Sequence, residues 1–222
     1  MTQRRPLLLL LIAALMVPAT ASLRADDERL KNAALVLDEM AGSVDKGIPT
    51  NLFQKAKCVV VIPGVKKAAL GIGGQYGRGY IACRKDSGGW SAPGGIRVEG
   101  GSVGLQIGGS DTDLILLVMN PRGADRLLSS RFTVGADAAV AAGPVGREAS
   151  AQTDATMMAE ILAWSRSRGI FAGISLKGST LREDGGENKE LYGKEVTNRD
   201  VVAGKVDATK GAADFMKALG KY

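Results

Sequence analysis

Gly71-Ile72-Gly73-Gly74-Gln75-Tyr76-Gly77-Arg78-Gly79-Tyr80 opens the stretch that decides the fold, which runs on to Arg147. It continues through Gly88-Gly89-Trp90-Ser91-Ala92-Pro93 and Gly100-Gly101-Ser102-Val103-Gly104-Leu105-Gln106-Ile107-Gly108. It closes on Ala141-Ala142-Gly143-Pro144-Val145-Gly146-Arg147. Much of it alternates with period 2, the signature of half-buried strands. Leu70, Ile72, Tyr76, Tyr80 and Ala82 fall on one face, and Gly71, Gly73, Gln75, Gly77 and Gly79 on the other. Glycine weakens a strand, so a face of glycines implies that another backbone packs close against it.

Working outward, Cys58 to Ile62 is a β-branched run that reads as a buried strand, and Pro63-Gly64 reads as a turn into the glycine-rich strand 69–83. Lys85-Asp86-Ser87-Gly88-Gly89 has the composition of a hairpin turn. Trp90 to Val98 returns, with Pro93 at an edge or a bulge. Gly100-Gly101 and Gly109-Ser110-Asp111-Thr112 read as two further turns around strand 102–108, and Asp113 to Met119 as a central strand. Arg122 to Ser130 reads as a short helix and Phe132 to Val145 as a strand pair or one long bent strand.

Helices flank this core. Leu30, Ala33, Ala34, Leu37 and Ala41 share one face of an N-terminal helix stopped by Gly42, and a second short helix spans Thr50 to Ala56. Thr153 to Ser167 fits a helix with Met157, Ile161 and Trp164 inward, followed by a strand over Gly169–Leu176. Glu183 to Lys189 reads as a polar loop. Thr197 starts a helix with Asp200 in the capping-box position, and Asp207 to Leu219 is a last amphipathic helix. The class is α+β: a glycine-rich, mainly antiparallel sheet or partly closed barrel with flanking N-terminal and C-terminal helices.

Arg4 and Arg5, the apolar run Leu7 to Val17 and the small residues Ala19-Thr20-Ala21 have the form of a secretory signal peptide cleaved near Ala21. That implies a periplasmic or secreted protein. The expected organisation is 1–21 signal peptide, 22–45 helix packed on the domain, 46–195 domain core and 196–222 C-terminal helical extension. Cys58 and Cys83, the two cysteines, are expected to pair in an oxidising compartment.

The chain has no histidine, which removes the commonest general base and metal ligand. Gly100-Gly101-Ser102-Val103-Gly104 fits G-x-S-x-G, but a nucleophile elbow needs a strand-to-helix turn and a histidine partner. The glycines 71–79 match neither G-x-G-x-x-G nor a P-loop, and Asp111-Thr112-Asp113 reads as part of a turn. No catalytic residue, metal site or cofactor is expected, and nucleic acid is not an expected partner. From Lys46 to Lys85 eight basic residues occur with no acid, although the rest of the exported chain is net acidic. Such segregation suits an anionic surface.

Taken together these motifs identify a resemblance. The residues that carry it are Val60-Val61-Ile62-Pro63, the run Gly71 to Gly79, Gly89-Trp90-Ser91-Ala92-Pro93 and Gly101 to Gly108. Asp113 to Asn120, Ala142 to Arg147, Ser165 to Leu176 and Tyr192-Gly193 add to it. The chain resembles the SYLF-domain proteins, a lipid-binding family whose eukaryotic members join this domain to SH3 or FYVE modules. The resemblance covers roughly residues 28 to 195 and is that of an exported bacterial member. It implies binding to anionic phospholipids, in some members to actin, and no catalysis. The expected function is non-enzymatic binding of anionic phospholipid head groups at a membrane surface. The alternative is an envelope structural or protein-interaction domain with an envelope protein partner and no lipid preference. With Cys58–Ile62 and 69–83 read as a hairpin, Lys55, Lys57, Arg84 and Lys85 form the principal lipid patch. Lys66 and Lys67 then sit at the hairpin turn as a weaker contact.

Overall fold

The computed structural model describes residues 20–41, 47–129, 131–145, 159–167, 170–171, 176 and 178–222, without the side chains of 20–26, 69–72, 102–108 and 170–171. The expected signal segment therefore lies almost wholly outside the described residues, as does Gly42. Thr20 and Ala21, at the expected cleavage site, fall in the first turn of helix α1 (Thr20–Ala41).

Two long strands dominate. β1 (Cys58–Cys83) and β2 (Gly94–Val118) pair antiparallel from Cys58↔Val118 to Ile81↔Gly94. The expected turn over Lys85–Gly89 joins them, with Gly88 and Gly89 at φ 89° and 72°. The other three expected turns are corrected: Pro63-Gly64, Gly100-Gly101 and Gly109–Thr112 all lie inside strands. Pro63-Gly64 is a bulge, marked by the register shift between Ile62 and Val65. Gly64 takes φ +60° there, and its N–H donates to Asp113 Oδ1 at 3.1 Å. Gly101 stands opposite Gly74 and Gly109 opposite Ala68. Small residues that oppose one another let a ladder bend sharply, so a bend inside a strand has the composition of a turn. A second shift falls between Leu70 and Ile72. The hairpin expected between 58–62 and 69–83 is thus absent, because both belong to one strand.

That strand curls until its ends meet. Cys58 and Cys83 form a disulfide, as expected, with their Cα atoms 3.9 Å apart. Gly77 and Gly79 lie where the ribbon crosses itself. A Cβ at Gly79 would overlap the carbonyl oxygen of Val61 and come within 2.7 Å of the Ile62 Cα, and one at Gly77 would lie 3.2 Å from the Val65 Cα. The glycine face does receive another backbone, and it is that of the same strand.

Short elements complete the sheet. After helices α2 (Thr50–Lys55) and α3 (Pro121–Leu127) come β3 (Phe132–Thr133), β4 (Val140–Ala142), β5 (Ile161–Ser167), β6 (Ile170–Phe171) and β7 (Thr180–Glu183). The order is β3-β7-β2-β5-β4, with β1 on β2 and β6 on β5. All pairs are antiparallel except β4 with β5. The helix expected over Thr153–Ser167 is corrected at its C-terminal half, which is strand β5 on the centre of β2. Ile161, Leu162 and Trp164 are buried on both faces of the sheet, which erases the alternation expected of a strand. Residues 146–158 and 172–175, parts of other expected elements, lie outside the described residues.

Helices α4 (Gly185–Tyr192), α5 (Asn198–Val202) and α6 (Ala213–Leu219) follow, the last preceded by a 3-10 turn over Lys210–Ala212. The polar loop expected at Glu183–Lys189 is corrected: it is the end of β7 and the start of α4. The Asp184 side chain caps α4 by accepting from the Glu187 N–H. α5 has the expected capping box of Thr197 and Asp200.

Val59, Val61, Ile115, Leu117 and Trp164 face α1, α2 and α6, in a core with Leu30, Leu37, Met40, Phe53, Phe215 and Leu219. Val60, Ile62, Leu114, Leu116 and Val118 face the inside of the curl with Ile81, Ile96, Phe132 and Leu181. Burial on both faces explains the unbroken apolar runs 58–62 and 114–118. The fold is α+β, a curled half-barrel sheet flanked by N-terminal and C-terminal helices.

Candidate functional site

Cysteine chemistry fixes the first basic cluster. Lys57 precedes Cys58 and Arg84 follows Cys83, so the disulfide that closes β1 also sets these two side by side. The Arg84 N–H donates to the Lys57 carbonyl at 2.7 Å, and the Lys57 N–H to the Val118 carbonyl at 2.7 Å. Lys55 ends α2 two residues earlier, and Lys85 begins the hairpin turn. Lys55, Lys57 and Lys85 are exposed. Among the described residues none of the three is ion-paired with a carboxylate. The expected grouping is therefore present, produced by closure of one strand. Arg84 differs from the lysines. Its Nη2 donates to the carbonyls of Phe53 at 3.3 Å and Tyr222 at 2.7 Å, and its guanidinium lies 4.1 Å from the Trp90 ring centroid. Arg84 ties the helices to the end of the sheet, with its charge directed inward.

Lys66 and Lys67 are not at a hairpin tip. They follow the Pro63-Gly64 bulge in mid-strand, opposite Asp111 and Ser110. Lys66 Nζ donates to Asp111 Oδ2 at 3.3 Å. Asp113 accepts from Gly64 and from Arg166 Nη2 at 3.0 Å, so the Asp111–Asp113 pair serves the strand and not a turn. Lys66 and Lys67 border an open cavity of about 880 Å³ with Gln75, Tyr76, Ser110 and Ser167. Burial alone lowers the pKa of the Lys67 ammonium.

A third cluster is buried. Glu187 is 1% exposed and accepts from Arg29 of α1 and from the Tyr80 hydroxyl of β1. Arg78 donates to Asp184 at 2.6 Å and lies 3.1 Å from Glu187, and Arg97 of β2 lies 3.9 Å from Asp184. Burial raises the Tyr80 pKa, and the Glu187 charge raises it further. Burial opposes the Asp184 charge, but the hydrogen bond and charge of Arg78 outweigh it and hold the pKa below its ordinary value. Beside this cluster Asn188 Oδ1 accepts from the Gly95 N–H at 2.7 Å, and Asn198 Nδ2 donates to the Gly95 carbonyl at 2.9 Å. Sequence reasoning missed this hub. Its signal was Asp184-Gly185-Gly186-Glu187, an acid three residues before a Glu, the spacing of a helix start. With its two carboxylates buried and paired with these arginines, the hub fastens α1 and α4 to the sheet.

The G-x-S-x-G motif falls within β2, paired to β1 on both sides of Ser102, without the strand-to-helix turn that an elbow needs.

Comparison with known proteins places these features in a family. Residues 99–222 match the family described as Ysc84, Las17-binding protein actin regulator. The chain is 37% identical over 171 residues to an SH3 domain-containing protein of Schizosaccharomyces pombe, covering 75% of this chain and 39% of that one. It is 30% identical over 208 residues to Protein YSC84 of Saccharomyces cerevisiae, covering 91% and 44%. It is 31% identical over 198 residues to SH3 domain-containing YSC84-like protein 1 of Rattus norvegicus, covering 86% and 58%. The chain thus spans between two-fifths and three-fifths of the length of these relatives. The description of the matched family is one of binding and regulation. The chain belongs to the Ysc84, or SYLF-domain, family.

Proposed function

We propose that this domain binds anionic phospholipid head groups without chemistry on them, through Lys55, Lys57 and Lys85 held in place by Arg84. The observation that carries the reading is the closure of β1. It brings together cations from α2, both ends of the strand and the hairpin turn, and leaves three of them exposed and unpaired among the described residues. Each such lysine contributes about 1 kcal/mol at an anionic membrane surface. Lys66 and Lys67 supply a second, weaker contact. The disulfide supports an oxidising setting such as a periplasm or the cell exterior.

Co-sedimentation with phosphatidylcholine vesicles, with and without phosphatidylserine, tests the proposal. The wild type pellets with the anionic vesicles and is released by salt. The variant Lys55→Glu/Lys57→Glu/Lys85→Glu loses about two orders of magnitude or more in affinity, from roughly 1 kcal/mol for each charge removed. Unchanged pelleting of the folded variant would overturn the assignment of the patch.

A second reading is favoured by the description of the matched family as Las17-binding actin regulators. On that reading the same surface receives a protein. A folded wild type that ignores every anionic vesicle yet binds a purified acidic protein partner would establish it in place of the first.

A further inference from the structure

The strand glycines divide into two kinds. Gly77 and Gly79 are required by packing, since a side chain at either would strike Val65 or Val61 and Ile62. Gly74 and Gly109 are not. Among the described residues, a Cβ at Gly74 would meet only the Gly100 carbonyl oxygen at 3.9 Å, and one at Gly109 only the Lys67 carbonyl oxygen at 3.6 Å. Neither has a positive φ. Glycine within a strand is destabilising relative to alanine. Close packing among the described residues does not account for these two, and both line the 880 Å³ cavity. Their missing side chains leave its floor open.

The rest of the lining is chemically coherent. Lys66 is paired with Asp111, which leaves the half-buried Lys67 ammonium as a charge without a carboxylate partner among the described residues. Ser110 and Gln75 contribute neutral hydrogen-bonding groups. Tyr76 lies in the wall with 49% of its surface exposed, and supplies an aromatic ring. The volume is within the range of sites for small organic ligands, roughly 300–1,000 Å³.

We infer that this cavity binds a small hydroxylated organic anion. Its carboxylate or phosphate meets Lys67, its hydroxyl groups meet Ser110 and Gln75, and its carbon face lies on Tyr76. The anion is either free in solution or the head group of a lipid. In the second case alone the inference rests on the lipid reading given above.

The test is calorimetry on the whole chain with glucose 6-phosphate and gluconate, and with glucose as the uncharged control. The two anions bind and glucose does not. Lys67→Gln weakens binding at least about tenfold, the effect of one charge-assisted hydrogen bond. Gly74→Leu, which fills the cavity from an open position, abolishes binding while the thermal midpoint stays at or above that of the wild type. The triple variant at Lys55, Lys57 and Lys85 binds the free anions as the wild type does, which separates this site from the surface patch. Competition by phosphatidylglycerol vesicles assigns the ligand to a lipid head group, and binding without competition assigns it to a soluble anion. Failure of both anions to bind, equal binding of glucose, or anion binding unaffected by Lys67→Gln and Gly74→Leu overturns the inference.

Discussion

Gly79 shows how much of a fold can rest on the lack of a side chain. Its hydrogen faces the Val61 carbonyl and the Ile62 Cα, which are backbone and cannot give way as a side-chain tip can. Gly79→Ala is therefore expected to destabilise by about 3 kcal/mol, the upper part of the range for overpacking. Gly74→Ala, whose Cβ would meet nothing nearer than the Gly100 carbonyl oxygen at 3.9 Å among the described residues, is expected to be neutral or slightly stabilising. Urea unfolding of the two variants side by side checks both. The sequence carried half of this: the period-2 pattern put Gly77 and Gly79 on one face and implied a close backbone. It did not distinguish them from Gly100, Gly101 and Gly109, which it read as turns. Bends and turns need the same freedom from Cβ, and only the pairing partner, supplied from 25 to 41 residues away, separates the two.

Between elements, the hub at Asp184 and Glu187 fastens α1, β1 and β2 to α4. Asp184 has a folded-state pKa below its ordinary value because Arg78 favours its charge. Such a group stabilises the fold above its unfolded pKa of about 3.9, and that stabilisation is lost as pH falls through the lower folded value. Thermal midpoints measured from pH 6 downward should fall below about pH 4, and less steeply in Asp184→Asn, which starts from a lower midpoint. The acids of this hub were read from sequence as a polar loop, because their partners Arg29, Arg78 and Arg97 lie in distant segments. β5 was misread for a related reason. Met157, Ile161 and Trp164 have helical spacing, but burial on both faces of a central strand also removes alternation, and pattern alone does not choose between them. The cap of α5, whose cause lies within four residues, was legible.

At the scale of the molecule, one covalent bond closes the strand on which the rest is assembled. In the chain-entropy model, crosslinking Cys58 to Cys83 stabilises by roughly 3–4 kcal/mol, for a loop of about 26 residues. Cys58→Ala/Cys83→Ala should lose about that much in denaturant unfolding, and added reductant should bring the wild type toward the same midpoint. The pairing was legible because the chain has two cysteines and no others. The grouping of Lys55, Lys57, Arg84 and Lys85 was also legible, although the hairpin from which it was reasoned is absent. Proximity of the cysteines alone would have given it, since Lys57 and Arg84 are their immediate neighbours. The inward role of Arg84 was not legible, because the carbonyls that hold it come from α2 and from Tyr222.

The packing of α1 against α6 bears on how the protein is made. Leu30, Leu37 and Met40 have no burial surface of their own and share their core with Phe215 and Leu219. A ribosome supplies those residues about 180 positions later. At roughly 5–20 residues per second, the apolar face of α1 waits on the order of ten seconds or more for its cover. During that interval the nascent chain presents a ready target for chaperones, and the native packing of α1 becomes available only once α6 has been made.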